Sequence, residues 1–575
     1  MDVIKLLTLV TVTLAPWPRQ LACARVESLP GFGAPPTNHY SGFVKVDEQT
    51  GTSLFYYLVE SQSQPSKDPL LWWMNGGPGA SSLVALFSEN GPLLLGRENQ
   101  LVSNPYAWNR QANVLYVEFS AGVGFSYCAN SSKPAAELDC PQSSPNCSPC
   151  GASDSLVAHQ NLVFLQNFLL EFPALAGRPL YLAGESYAGV YIPTLAEQIV
   201  KSMENTEHIN LCGMWITDPC TDMKAQFGWL DLGVDFSYEH GLISKDTYDL
   251  LTNRASGSQC SAGRTPVGDR IRNVMDPSCR KAWRLYDLAT AGLGDAVHPR
   301  QVPGLPMYID PLNAYGPSGG PDLPGYIGRE DVRKALHATA SPNKVYHVEL
   351  GNNGYSNYVL EYAACNNKVK DGVESMVQIY QHLIDAAAQR TRGASNLRRI
   401  IISSGDIDPV VALQGTEAAV HAIGLPVAKG GDRRPWFYNS TATPLQALAE
   451  KPVAWGQSLH AGEAGPQVGG FVTDFNTTVP EVTLEFVSMR ASGHMVPAYA
   501  PQSSVHVIYG ALLAGRPLAP RLPDGWDTSD DDTYYGWKTK AGGTFTQWVN
   551  GAMSDTFVGN SGTSSSDATS TVLHV

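Results

Sequence analysis

The stretch "RPLYLAGESYAGVYIPTLAEQIV", Arg178 to Val200, decides how the chain is read. It opens on apolar strand-like residues, passes through Gly184, Glu185, Ser186, Tyr187, Ala188 and Gly189, and continues with helical spacing. A serine between two glycines at such a junction sits on a sharp strand-to-helix bend, its Oγ exposed above a helix N-terminus. The glycines permit the bend and the close packing of another strand. The same order recurs outward from there. "DPLLWWMNGGPGASSLVALFSEN" (68–90) reads as buried strand, glycine-rich turn and helix, and "NVLYVEFSAGVGFSY" (113–127) as a strand running into a glycine loop. "LVAHQNLVFLQNFLLEF" (156–172), "VESMVQIYQHLIDAAAQR" (373–390) and "SSVHVIYGALLAG" (503–515) read as helices. "LRRIIISSGDIDPVV" (397–411) is a strand ending in an acidic turn, and "EVTLEFVSMRASGHMVP" (481–497) a strand ending in a histidine loop. Strands alternating with helices predict an α/β fold: a mostly parallel central sheet with helices on both faces.

The alternation breaks after Trp215. Residues 218–325 carry much Gly and Pro, three cysteines and helical pieces such as "SKDTYDLLTNRA" and "SCRKAWRLYDLATAG", which reads as a cap inserted over the sheet. The expected organisation is a signal peptide over 1–24, a core in two parts (25–217 and 326–520) flanking the cap, and a C-terminal extension over 521–575. Its last ~20 residues have the composition of a disordered tail. The signal reading rests on Lys5, the apolar run Leu6 to Ala15 and the pattern Ala22–Cys23–Ala24; the run is well short of the ~20 residues that span a bilayer. A chain of 575 residues, 43% hydrophobic and 16% charged, can bury a substantial core. Its formal net charge of −14 argues against nucleic-acid binding.

Ten cysteines fit a secretory route; nine remain without Cys23, so at least one thiol stays free or pairs elsewhere. "CSPC" at Cys147–Cys150 lies in a Ser/Pro-rich loop, where an ordinary disulfide is the better reading than redox chemistry. No His/Cys set has zinc spacing. Glycosylation sequons stand at Asn130, Asn146, Asn439 and Asn476.

A serine needs an imidazole to take its proton and a carboxylate to orient that imidazole. On a sheet of this type they follow in the order serine, acid, histidine. Asp406 and Asp408 in "SSGDIDPVV", and His494 in "RASGHMVP", stand in that order at strand ends. An oxyanion hole needs two backbone N–H groups. Tyr187 supplies one, and the dense glycine loop "NGGPG" (Asn75 to Gly79) is the candidate source of the other.

Taken together, "WWMNGGPGASS", "GVGFSY", "GESYAGVYIPTLA", "YIGREDVRKALHA", "GDIDPVV" and "SGHMVPAYAPQSS" resemble the serine carboxypeptidases, on an α/β-hydrolase fold. The likeness runs in blocks through most of Tyr40 to Pro520 and is faint in the cap. It implies that Ser186 is the nucleophile, Asp408 the orienting acid and His494 the base, with Gly77 and Tyr187 forming the oxyanion hole. It also gives Glu185 a purpose: Asn75, Gly76, Glu89 and Glu185 match the positions that hold the substrate's C-terminal carboxylate. Two carboxylates beside a third cannot all be ionised, so Glu89 or Glu185 should keep a proton and peptide binding should favour acidic pH.

Where the resemblance usually has Cys after "GGPG", Ala80 stands; Ser120 replaces a usual proline; and "GMWITDPC" carries Thr217–Asp218 in place of a more typical Gly-Asn. None of these is expected to touch the triad. The dibasic pair Arg280–Lys281 reads as surface charge.

The resemblance implies an exopeptidase acting on peptide or protein C-termini through an acyl-enzyme, with no metal or organic cofactor. Its expected setting is the secretory pathway, ending in a vacuole, lysosome or the exterior. An acyltransferase on the same fold and a secreted protective scaffold are the rival readings. Oligomeric state is left open, a homodimer included.

Overall fold

In the computed structural model the described residues are 24–96, 99–129, 151–202, 208–226, 229–252, 277–290, 322–343, 346, 358–365, 373–389, 396–408, 410–440, 465–477, 479–526 and 543–554. The signal-peptide expectation for 1–24, apart from Ala24 itself, the sequons Asn130 and Asn146, the "CSPC" loop and the last residues of the tail lie outside them.

Long apolar runs form the centre of one sheet. Its strands are β1 (Ala24–Arg25), β2 (His39–Asp47), β3 (Thr52–Val59), β4 (Leu70–Met74), β5 (Asn113–Glu118), β6 (Pro179–Glu185), β7 (Asn210–Thr217), β8 (Arg399–Gly405), β9 (Arg434–Ser440), β10 (Gly465–Phe475) and β11 (Thr483–Met489). They lie in the order β1-β2-β3-β5-β4-β6-β7-β8-β11-β10-β9. The run from β5 through β11 is parallel, and the pairs at both ends are antiparallel. The sheet is therefore mixed, parallel at its heart as expected.

Both faces of the parallel core are buried, so these strands read as unbroken hydrophobic runs. Trp72, Leu182, Met214, Ile216, Ile400 and Ile402 pack on one side. There they meet α2 (Asp154–Glu171), α3 (Ala188–Lys201) and α7 (Met376–Gln389). Trp73, Ala183, Trp215, Ile401 and Val487 point the other way, toward α1 (Leu83–Ser88) and the helical segment Val507–Leu513. On that face Trp108 stacks on Trp215 at 5.3 Å between ring centroids and meets Trp73 edge-on at 5.0 Å. Three large aromatics interlocked over the central strands fix the sheet on which the loops of interest stand.

In the stretch expected to cap the sheet, α4 (Trp229–Glu239), α5 (Lys245–Leu251) and α6 (Pro277–Thr290) build a separate small core from Val234, Ile243, Tyr248, Leu251, Trp283 and Tyr286. A disulfide joins Cys220 to Cys365 across 145 residues. Cys128 and Cys279 are also disulfide-bonded. Among the described residues Cys212 is the free thiol that the odd count requires.

Candidate active site

The ends of β6, β7, β8 and β11 are neighbours on one edge of the parallel sheet. Each carries one residue of interest just past its last paired position. Past β6 stands Ser186, with φ +60°, the left-handed conformation of a sharp bend. It is half-buried while Glu185 and Tyr187 on either side are buried. The two glycines of the motif are required by packing. A Cβ on Gly184 would come within 2.3 Å of the Met74 carbonyl oxygen, and one on Gly189 within 2.4 Å of the Cys220 carbonyl oxygen. Neighbouring strand ends press on the bend from both sides, and only glycine admits them.

The two candidate acids have different partners. The Asp406 carboxylate accepts the Ala491 N–H at 2.7 Å and serves the turn. Asp408, fully buried, receives His494 Nδ1 on its Oδ2 at 2.8 Å. It also accepts the Val410 N–H at 2.7 Å and the Val411 N–H at 3.2 Å. Three N–H groups converging on one carboxyl are the surroundings of an ionised acid, and an acid so placed holds the imidazole with its Nδ1 protonated.

The glycine loop after β4 closes against the bend. A Cβ on Gly76 would lie 2.4 Å from the Tyr187 backbone nitrogen and 2.7 Å from Ser186 Cβ. Gly77 follows with φ +110°. Asn75 is buried, and its side-chain amide donates to Glu89 Oε1 at 3.0 Å and to Glu185 Oε1 at 2.8 Å. Its own Oδ1 accepts the Trp73 indole N–H at 2.9 Å. The remaining oxygens, Oε2 of Glu89 and of Glu185, are buried and receive no donor from any other group, and the two carboxyls are close enough to hydrogen-bond to each other once one is protonated. Burial pushes the Glu89 carboxyl up to about 7. Burial, and then the adjacent Glu89, push Glu185 well above the carboxylate range. The expected proton between these two acids thus has a physical cause.

A profile of the family described as "Serine carboxypeptidase" matches residues 30–513. The chain belongs to the serine carboxypeptidase family. Among its curated relatives, serine carboxypeptidase-like 45 of Arabidopsis thaliana is 31% identical over 510 residues, covering 86% of this chain and 93% of the relative. Serine carboxypeptidase-like 46 of the same plant is 31% identical over 510 residues, with 86% and 92% covered. Among solved structures, a prohormone-processing carboxypeptidase from Saccharomyces cerevisiae superposes with a TM-score of 0.53 at 18% identity, covering 82% of this chain and 90% of that one. At that identity the likeness shows the fold, an α/β hydrolase.

One expectation is corrected. Thr217–Asp218, where the family resemblance anticipated Gly-Asn, does touch the acid–histidine pair. Asp218 is fully buried past the end of β7, and its carboxyl, the Asp408 carboxyl and the His494 ring each offer an atom within 4.8 Å of the others. Asp408 and His494 are held together by their own hydrogen bond, and Asp218 is brought beside them by Ser404 and Gly405.

Two further residues escaped the reading of the sequence. Asp154, the first residue of α2, accepts Tyr187 OH at 2.8 Å, Tyr358 OH at 3.0 Å and the Glu361 N–H at 2.7 Å, pinning the residue that follows Ser186. Glu118, at the end of β5, accepts Ser81 Oγ at 2.5 Å, Tyr346 OH at 2.6 Å and the Phe125 N–H at 2.6 Å. Asp154 looks like an ordinary helix-start acid, and no spacing marks it. Glu118 follows an apolar strand, the same signal that marked Asp408 and that could have marked Asp218.

Proposed function

We propose that this chain is a serine carboxypeptidase that removes the C-terminal residue of peptides, with Ser186 as nucleophile, His494 as general base and Asp408 orienting the imidazole. The observation that carries this reading is the Asn75–Glu89–Glu185 cluster, set one residue from the candidate nucleophile. A hydrolase acting on internal bonds has no use for an amide clamping two buried carboxyls beside its serine. An exopeptidase uses such a group to recognise a free carboxylate.

In this reading His494 takes the Ser186 proton as Oγ attacks the scissile carbonyl, and the Gly77 and Tyr187 N–H groups stabilise the oxyanion. His494 then returns the proton to the leaving amino acid, and water hydrolyses the acyl-enzyme by the same route. Asn75, the Gly76 N–H and the protonated member of the Glu89–Glu185 pair donate to the substrate carboxylate. The helices of 218–325 serve as a cap, and the substrates are peptide or protein C-termini. The acid preference fits a vacuolar, lysosomal or extracellular setting reached by the secretory pathway. No helix among the described residues is long and apolar enough to cross a membrane.

The test pairs one peptide as free acid and as C-terminal amide at pH 5. Hydrolysis of the free acid should exceed that of the amide at least 100-fold in kcat/KM, and Ser186→Ala should abolish it. Equal rates on the two peptides would overturn the carboxylate reading. Transfer to an alcohol outrunning hydrolysis would favour the acyltransferase.

A further inference from the structure

We propose that Asp218 is held as the neutral acid and donates its proton to the Asp408 carboxylate, which makes it a positioning residue of the triad. The proposal rests on the Ser186–His494–Asp408 reading above and adds a fourth group to it.

Asp218 is placed by its backbone and by one of its two oxygens. Its N–H bonds the Ser403 carbonyl at 2.7 Å, and its φ of +45° turns the side chain back across the end of β8. Oδ1 accepts Ser404 Oγ at 2.9 Å and the Gly405 N–H at 2.8 Å. Oδ2 is buried and has no hydrogen-bond partner. The carboxyl beside it is that of Asp408, whose own donors are three N–H groups. Two anionic carboxylates cannot share a sealed site at this range, whereas one proton between them satisfies the orphaned oxygen. The uneven donors say where it sits: Asp408, facing the imidazole and two backbone amides, keeps the charge. Burial first, and then the Asp408 charge, raise Asp218 well above the carboxylate range. The ionisable groups facing Asp218 are Asp408 from the loop after β8 and His494 from the loop after β11, with Glu185 acting on Asp408 from β6.

The same segment also holds the nucleophile. The Ser186 N–H bonds the Thr217 carbonyl at 3.0 Å, and the Cys220 N–H bonds the Ser186 carbonyl at 2.9 Å. Thr217 to Cys220 is therefore one bracket that grips the serine bend by its backbone and the triad acid by the Asp218 side chain. The Cys220–Cys365 disulfide ties its far end down.

An asparagine at 218 would turn an N–H to Asp408 and do the same work without a titrating proton. That gives the test. The rate at which a fluorophosphonate labels Ser186 is followed against pH, a readout that bypasses the Glu89–Glu185 recess. In Asp218→Asn the acid limb, where His494 loses its proton, should stay within about 0.3 pH units of wild type, and the rate within about threefold. Asp218→Ala, which lacks the donor, should label about tenfold more slowly. An acid limb displaced downward by about one unit or more in Asp218→Asn would mean that an anion had been removed beside the imidazole, and would overturn the proposal. So would wild-type labelling speed in Asp218→Ala. Wild-type protein that does not label at Ser186 would overturn it too, but by sinking the triad on which it rests.

Discussion

Two pairs of buried acids lie beside the candidate nucleophile, and they differ in how hydrogen-bond donors are shared between their members. In the Glu89–Glu185 pair one Asn75 amide donates to one oxygen of each carboxyl, and both second oxygens receive no donor from any other group. The pair is nearly symmetric. In the Asp218–Asp408 pair the donors are lopsided: Asp408 holds three N–H groups, His494 among them, while Asp218 has a hydroxyl and one amide. Symmetric donors leave a proton free to follow an incoming charge. Lopsided donors lock it to one side. The first arrangement suits recognition of a carboxylate that comes and goes, and the second suits an acid whose charge must never move.

The largest test of that contrast compares the two aspartates with the same substitution. Asp408→Asn removes the locked charge and can present an amide N–H to Nδ1, forcing the wrong imidazole tautomer. The expected loss in kcat on a free-acid peptide is about 10⁴-fold. Asp218→Asn, whose carboxyl lies within 4.8 Å of the same atoms, should change kcat by less than about threefold. Losses of equal size would break the asymmetry.

The second test uses stability. Burial pushes the Glu89 carboxyl up to about 7 in the fold, from about 4.5 for a free glutamate. As pH rises the unfolded chain gives up this proton first. Between those two values the native state binds more protons, so stability is fullest below about 4.5 and falls as pH climbs through about 7. At roughly 1.4 kcal/mol per unit the group accounts for a fall on the order of 3 kcal/mol. Asp218 and Glu185 act in the same direction through the same cause, burial. Urea unfolding at pH 5 and pH 8 should show a smaller fall in Glu89→Gln and in Asp218→Asn than in wild type. An unchanged fall in both variants would place the proton uptake elsewhere.

How far the sequence carried can be judged from particular residues. Strands β4, β6, β8 and β11 were legible because each is a mostly apolar run that gives way within a few residues to a glycine-containing turn. Ser186 and His494 were marked as candidates by the same signal, since functional groups gather where parallel strands end. Asp408 was separable from Asp406 by resemblance alone; the structure supplies the reason, that one side chain meets an imidazole and the other a turn amide. The antiparallel ends of the sheet were not legible as such, because alternation shows that a strand exists and not which way its neighbour runs. Asp218 stands out in the sequence only as a departure from the family pattern. Its meaning lies in contacts with Ser404 and Gly405 at the end of β8, 186 and 187 positions further on, and local pattern carries no signal over that separation. Asp154 and Glu118 were missed likewise, each being defined by partners drawn from distant loops.

The finest test asks whether the symmetric pair senses pH for the substrate. Below about 7 both carboxyls of the pair are neutral and can donate to the peptide carboxylate; as pH climbs through about 7 Glu89 gives up its proton and the pair meets that carboxylate carrying a negative charge. Wild-type kcat/KM on a free-acid peptide should therefore fall by about tenfold from pH 6 to pH 8. Glu89→Gln keeps a neutral donor at every pH and relieves Glu185 of a charged neighbour. Its value at pH 8, relative to pH 6, should exceed that of wild type by about tenfold, with the difference in KM and kcat little altered, because the group binds the end of the substrate and not the reacting carbonyl. The C-terminally amidated peptide serves as control, since it brings no charge for the pair to meet, and its profile should be the same in both enzymes. A Glu89→Gln profile parallel to wild type on the free acid would show that the pair, however placed, does not exchange its proton with the substrate, and the two carboxyl pairs would then be alike after all.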